Sequence, residues 1–145
     1  MSLENLTAVV TGAGRGIGRA IALRLAEAGA DVVCVSRTEA NSQKVADEVA
    51  ALGRKSWPIA VDVGDTKAVE SAVAKILEDT GGVNILINNA GVTRDGLLMR
   101  MSEEDWDAVL DTNLKGAFTL TKAFVRSMRK ADNARIINIS SVVGL

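Results

Sequence analysis

Histidine and tyrosine are absent from these 145 residues, and cysteine and proline occur once each. Without histidine, no side chain titrates near neutrality in its ordinary state. Proton transfer at pH 7 then falls to carboxylates, lysine, the lone thiol or a group supplied from outside. Zinc loses its commonest ligands, and no clustering of carboxylates suggests magnesium, so no metal site is expected. Cys34 alone cannot close an internal disulfide, so nothing calls for an oxidising compartment and the cytoplasm is the default. Excess charge is missing too, with 17 Lys and Arg against 18 Asp and Glu. That balance removes the electrostatic footprint of a nucleic-acid or anionic-membrane partner, and neither is expected. Met1-Ser2-Leu3-Glu4-Asn5 lacks the basic and apolar regions of a secretory leader. No apolar run approaches the roughly 18 residues of a bilayer span.

The chain does have an apolar fraction of 48% at ordinary domain length, enough for one core. Short β-branched runs alternate with longer helical patterns. Thr7–Thr11 reads as a buried strand, followed by glycines and a helical stripe at Ile17, Ile21, Leu25 and Ala28. Gly29 sits where a glycine ends a helix, and Asp31–Ser36 is the second strand. Ala40–Leu52 is a helix stopped by Gly53. Trp57–Val61 is the third strand, with Pro58 requiring a sheet edge or a strand start. Asp65 or Thr66 caps the next helix, with Val69, Val73, Ile76 and Leu77 on one face and Gly81-Gly82 ending it. Asn84–Ile87 is the fourth strand. Ser102, with Asp105 three residues on, opens one long helix. Its Trp106, Val109, Leu110, Leu114, Ala117, Phe118, Thr121, Phe124, Val125 and Met128 are expected to face inward. Arg135–Ile139 is the fifth strand. Five strands joined by helical crossovers imply a doubly wound α/β domain, a parallel sheet with helices on both faces. The chain ends six residues after the fifth strand, so the fold is expected to be truncated before its usual last helices and strands.

The first strand and helix are joined by Thr11-Gly12-Ala13-Gly14-Arg15-Gly16-Ile17-Gly18. The G-x-G-x-x-G spacing fails in both registers, because Ile17 or Ile21 falls at the third glycine. A phosphate loop ending Gly-Lys-Ser/Thr fails as well. The form T-G-x-x-x-G-x-G fits, with Gly12, Gly16 and Gly18. Residues without a Cβ let backbone N–H groups approach a pyrophosphate, and the helix N-terminus adds its positive end. A dinucleotide is favoured over a ligand-free tight turn.

Dinucleotide domains that take NAD place an acid at the end of the second strand, on the ribose hydroxyls. Here Ser36-Arg37 stands there instead. Arg37, with Arg15 in the glycine loop, suits a 2′-phosphate through charge-assisted hydrogen bonds, so NADP (NADPH) is preferred to NAD. The competing reading leaves both arginines as solvated surface charges.

At this point the chain resembles the short-chain dehydrogenase/reductase family. The residues that carry the likeness are the Thr11–Gly18 loop, Asp62-Val63, Asn88-Asn89-Ala90-Gly91, Asn113 and Ile139-Ser140-Ser141. Asn89–Asp95, Leu97–Met101 and Ser141-Val142-Val143-Gly144 look like the 3-oxoacyl-[acyl-carrier-protein] reductase subgroup. The resemblance covers essentially the whole chain, matched to the first part of a family member of ordinary length. It implies that residues 1–145 are an NADP-binding Rossmann-like domain, incomplete at its C-terminal end. It also implies that Asp62 meets the adenine amino group, that Val63 offers backbone contacts to the ring, and that Asn88, Asn89, Ala90 and Gly91 line the nicotinamide ribose and brace the sheet. Asn113 would support a proton-relay water and Ser141 would hold the substrate carbonyl oxygen. Turn chemistry for Asn88 and Asn89, and simple capping by Ser140 and Ser141, are the competing readings. Arg126, Arg129 and Lys130 are explained by a helix dipole, with an acidic carrier protein as the second option.

The activity implied is NADPH-dependent reduction of a 3-oxoacyl group, small or carried on a protein, in fatty acid synthesis, with a homo-oligomer as the intact enzyme. The family's proton donor is a tyrosine with a lysine four residues later, and no tyrosine occurs here. That motif would fall beyond Leu145, so the chain alone is expected to be nearly inactive. The alternatives are a non-catalytic NADP-binding module, a partner that completes its sheet with another polypeptide, and a short-chain dehydrogenase of another ketone or alcohol.

Overall fold

The β-branched runs become five parallel strands in a computed structural model that describes residues 2–142. In chain order these are β1 (Thr7–Thr11), α1 (Gly16–Glu27), β2 (Asp31–Ser36), α2 (Glu39–Ala51), β3 (Ser56–Ala60), α3 (Thr66–Thr80) and β4 (Ile85–Asn88). There follow α4 (Glu103–Leu110), α5 (Gly116–Met128) and β5 (Arg135–Asn138). A short 3-10 turn, Leu98–Arg100, precedes α4. The sheet order is β3-β2-β1-β4-β5, the doubly wound arrangement expected. Strand ends differ by a residue from expectation: β3 opens at Ser56 and β4 closes at Asn88. Pro58 lies on the edge strand β3, opposite Cys34, where its missing N–H disturbs a single neighbour.

Central strands are buried on both faces because helices cover each side, so they read as unbroken apolar runs. Val9, Val33, Val35 and Leu86 meet Val69, Val73 and Ile76 of α3 and Leu120, Phe124 and Met128 of α5. On the other face Ala8, Val10, Val32, Cys34, Ile85 and Ile87 meet Ala22 and Ala26 of α1 and Val45, Ala46 and Val49 of α2. Asp65 caps α3, its carboxylate accepting from the Ala68 N–H at 3.1 Å. Gly81 ends the helix at φ +76°, a conformation that costs glycine little.

Two apolar stripes differ from the sequence expectation. In α1 the buried line is Gly18, Ala22 and Ala26, and Ile17 is 67% exposed. The first helix packs so close to the sheet that only small residues fit beneath it. The single long helix is instead α4 and α5 joined by a π-helical turn, Asp111–Lys115. Of the residues expected inward, Phe124 and Met128 are buried, whereas Trp106, Leu110, Leu114, Phe118 and Val125 are exposed. The extra residue of the π turn rotates α5 relative to α4. The face of α5 that meets α3 and the sheet is Gly116, Thr119, Leu120, Phe124 and Met128, and the second apolar face is left open to solvent. β5, also exposed along its length, is the other uncovered element.

Candidate functional site

Parallel strands point their carboxyl ends to one edge, and a crevice opens there where the strand order reverses. The reversal falls between β1 and β4, whose crossovers leave in opposite directions. A cleft of about 1240 Å³ lies at this edge, lined by Arg15, Ile17, Arg37, Val63, Asn88–Arg94, Asn113, Thr121 and Asn138–Ser141, among others. It therefore gathers residues from the glycine loop, the end of β2, the loop after β3, the loop after β4, the π turn, α5 and the end of β5.

The four loop glycines do different work. A Cβ on Gly18 would lie 2.1 Å from the Gly12 carbonyl oxygen and 2.5 Å from Asn89 Nδ2, so Gly18 is a packing glycine. Gly14 is another: its Cβ would lie 2.7 Å from that of Asn41 and 3.2 Å from that of Ser36, which sets α2 against the loop. Gly12, at φ +63°, turns the chain under Asn89. Gly16 alone combines a left-handed φ of +54° with nothing within 4 Å of its missing Cβ. Open space beside the first turn of α1 is where backbone amides can receive an anion. At Gly14 and Gly18 an added Cβ would meet the protein itself.

Asn89 braces this loop. Its Nδ2 donates to the Thr11 carbonyl at 3.0 Å, and its N–H and that of Ala90 both donate to Thr11 Oγ1, at 3.0 and 2.9 Å. Thr11 Oγ1 in turn donates to the Ile87 carbonyl at 3.3 Å. The first and fourth strand ends are thus tied through one hydroxyl. Ser36 is buried and donates to the Thr38 carbonyl at 2.6 Å, fixing the chain that presents Arg37. Arg15 and Arg37 are both exposed and both line the cleft. Asp62 is exposed and accepts from the Gly64 N–H at 2.9 Å; it does not line the cleft, whereas the buried Val63 does.

Asn113, placed by the π turn, finds the partner that an asparagine on an apolar helix needs. Its Oδ1 accepts from the Val92 N–H at 2.8 Å and its Nδ2 donates to the Val92 carbonyl at 2.9 Å. The loop after β4 is clamped to the helix pair at that point, with Gly91 close against Asn113 Oδ1. Ser140 and Ser141 follow β5 and line the cleft, and Val143 and Gly144 of the same stretch lie outside the described residues. Two residues of the cleft were not singled out for the site by the pattern, Thr121 and Asn138, and both accept from Asn88 Nδ2, at 3.3 and 2.8 Å. Cys34 stands apart from the cleft chemistry, buried in the sheet, with burial pushing its thiol up to about 12. Among the described residues, no three His, Cys, Asp or Glu side chains gather as a metal site, and no helix is long and apolar enough to cross a membrane.

Known proteins share this arrangement. The short chain dehydrogenase family model matches residues 6–145. Over 144 residues the chain is 47% identical to a 3-oxoacyl-[acyl-carrier-protein] reductase of Vibrio cholerae, covering 99% of this chain and 58% of that protein. It is 42% identical over 145 residues to the enzyme of the same name from Thermotoga maritima, covering 59% of its length. A crystal structure of a short chain dehydrogenase from Burkholderia cenocepacia in complex with NADP superposes with a TM-score of 0.93 at 38% identity, over 99% of this chain and 58% of that one. A short-chain dehydrogenase/reductase from Mycobacterium marinum gives the same TM-score at 35% identity, over 99% and 57%. The chain spans under three fifths of the length of the curated relatives it matches. With the fold, the glycine loop and a family match from residue 6 to residue 145 in agreement, the chain belongs to the short chain dehydrogenase family.

Proposed function

We propose that residues 1–145 form the NADP(H)-binding part of a reductase of 3-oxoacyl thioesters, whose substrate is carried on an acyl-carrier protein or a smaller thiol. The observation that carries the cofactor choice is the pair Arg15 and Arg37 at one cleft, with no carboxylate where β2 ends. Two guanidinium groups there match a 2′-phosphate, whereas an NAD site uses an acid on the ribose. Gly16 and the first turn of α1 receive the pyrophosphate, and Gly12, Gly14 and Gly18 shape the loop around it. The Asp62-Val63 pair, of which Val63 lines the cleft, serves the adenine end, and Asn89, Ala90 and Gly91 line the nicotinamide ribose. The names of the Vibrio and Thermotoga relatives support the 3-oxoacyl substrate class, and the Burkholderia complex supports NADP.

Bound NADPH supplies the hydride. Ser141 holds the carbonyl oxygen that becomes the alcohol, and Asn113 positions a water on the proton path. The proton itself needs an acid that these residues lack, since there is no tyrosine or histidine. General acid help is worth about 10²–10⁴ in rate, so the chain alone binds the coenzyme and reduces little. The open apolar face of Leu110, Leu114, Phe118 and Val125 is the surface through which copies of the chain associate.

Fluorescence titration of the folded chain with NADPH and NADH tests the reading. Saturable binding, tighter for NADPH, is the expected result; a folded chain that binds neither overturns it. NADPH oxidation with a 3-oxoacyl thioester is expected to stay near background. Turnover at an ordinary enzyme rate would show that another group supplies the proton.

A further inference from the structure

Asn88 and Asn138 end neighbouring strands and are direct register partners. Asn88 is 7% exposed, and its Nδ2 donates both to Asn138 Oδ1 at 2.8 Å and to Thr121 Oγ1 at 3.3 Å. Its own Oδ1 is buried without a partner among the described residues. The three residues before it, Ile85, Leu86 and Ile87, are apolar and buried, so core packing does not call for an amide at the next position. A buried amide with an unmet acceptor is costly, and this one sits on the wall of the cleft, together with Thr121 and Asn138.

We propose that Thr121 and Asn138 are positioning residues, which act through Asn88 to set the nicotinamide side of the cleft; the assignment rests on the cofactor reading above. The bonds tie three elements at one point. β4 runs on into Asn89, Ala90 and Gly91, and β5 runs on into Ser140 and Ser141, with the Ile139 N–H donating to the Asn88 carbonyl at 2.9 Å. α5 comes directly after the π turn that carries Asn113. Loosening the triad therefore shifts all the residues assigned to the nicotinamide half relative to one another. Arg15 and Arg37 stand on the loop after β1 and at the end of β2, and the side-chain bonds of Thr121 and Asn138 run to Asn88 instead. The adenosine half of the cleft is held by the Ser36 and Thr11–Asn89 bonds, which are independent of the Thr121 and Asn138 side chains.

That independence gives the test a readout that simple destabilisation does not move. Adenosine 2′,5′-bisphosphate probes the adenosine half alone and NADPH probes both. Thr121→Val, nearly the same shape without the hydroxyl, is expected to weaken NADPH about tenfold while leaving the bisphosphate within about twofold of wild type. Thr121→Ser, which restores the hydroxyl, is expected to restore NADPH binding. The exposed Asn138 gives a second variant, Asn138→Ala, with the same selective loss expected even if Thr121→Val folds poorly. Unchanged NADPH affinity in both Thr121→Val and Asn138→Ala, or parallel loss of both ligands, overturns the triad. Failure of the wild-type chain to bind the bisphosphate overturns the cofactor reading instead, and the triad with it.

Discussion

The glycine loop separates a packing role from a ligand role, and two single-methyl substitutions test that separation. In Gly18→Ala the new carbon would sit 2.1 Å from the Gly12 carbonyl oxygen and 2.7 Å from its carbon. Carbon and carbonyl oxygen normally meet no closer than about 3.3 Å, so a shift of more than an ångström is required. The obstructing atoms are main chain, and Asn89 Nδ2 beside them is itself bonded to the Thr11 carbonyl; nothing soft is available to give way. A cost of about 3 kcal/mol or more follows, at the upper end of overpacking penalties. With a urea slope of about 1–3 kcal/mol per molar for a small domain, the midpoint should fall by about 1–3 M. Gly16→Ala meets no atom within 4 Å and pays only for its φ of +54°, about 1–2 kcal/mol. Its methyl, however, occupies the open space beside the first turn of α1, and NADPH affinity is expected to fall by about tenfold or more. Urea unfolding followed by tryptophan fluorescence and NADPH titration on the same samples measure both quantities. The reasoning is refuted if Gly18→Ala unfolds at the wild-type midpoint, or if Gly16→Ala binds NADPH like wild type.

Three further outcomes are expected. Arg37→Ala removes one guanidinium from the proposed 2′-phosphate site, where charge-assisted hydrogen bonds are worth about 1.5–3 kcal/mol. NADPH affinity should drop by about tenfold or more while NADH affinity holds, and equal loss for both would count against the assignment. Cys34 is raised from 9.0 to about 12 by burial, so the native state holds its proton more tightly than the unfolded chain. The stability this contributes is whole below about pH 9 and is lost as pH rises toward about 12, with a slope near 1.4 kcal/mol per pH unit. Cys34→Ala should flatten the fall of the urea midpoint above about pH 9, and an unchanged slope would show that other groups cause it. Phe118 is 64% exposed on the open face of α5; the chain is expected to scatter light as a species heavier than 15.2 kDa, and Phe118→Glu should return it toward that mass. A wild-type chain that is monomeric would remove the association surface.

The parts of the fold that were legible in the sequence share one physical property: their pattern depends on contacts made within the chain's own first neighbours. Strands buried on both faces must be continuously apolar, as Val32–Val35 and Ile85–Ile87 are. Helix ends must satisfy their own amides, as Asp65 and Ser102 do. Where a residue's setting depends on a distant partner, the pattern was silent or misleading. Gly14 stands in the loop read as a ligand site, but Asn41 and Ser36 fill the space above it, and that contact exists only once α2 packs down. The line from Trp106 to Val125 has helical period, yet period does not say which side is covered. Past the π turn at Asp111–Lys115, Phe124 and Met128 of the expected face are covered, beside Leu120, and its other large apolar members are turned to solvent.

The same distinction runs through the site. Asn113 was legible as an amide that needs a partner, and the partner is the main chain of Val92. Asn138 carried no such signal, because it lies in a strand whose residues are all exposed and its significance depends on being the register partner of Asn88. Arg15 and Arg37 are 22 residues apart in the chain, and only the parallel pairing of β1 with β2 brings their loops to the same cleft. A loop read alone identifies a tight turn; two arginines beside it, on an edge formed by strands that the sequence does not join in order, turn that geometry into a choice between coenzymes. The proposed 2′-phosphate selectivity therefore rests on sheet topology as much as on either residue. Moving the cation within the loop, as in the pair Arg37→Ala and Thr38→Arg, should not restore NADPH preference, because Ser36 fixes the direction in which that turn leaves the strand.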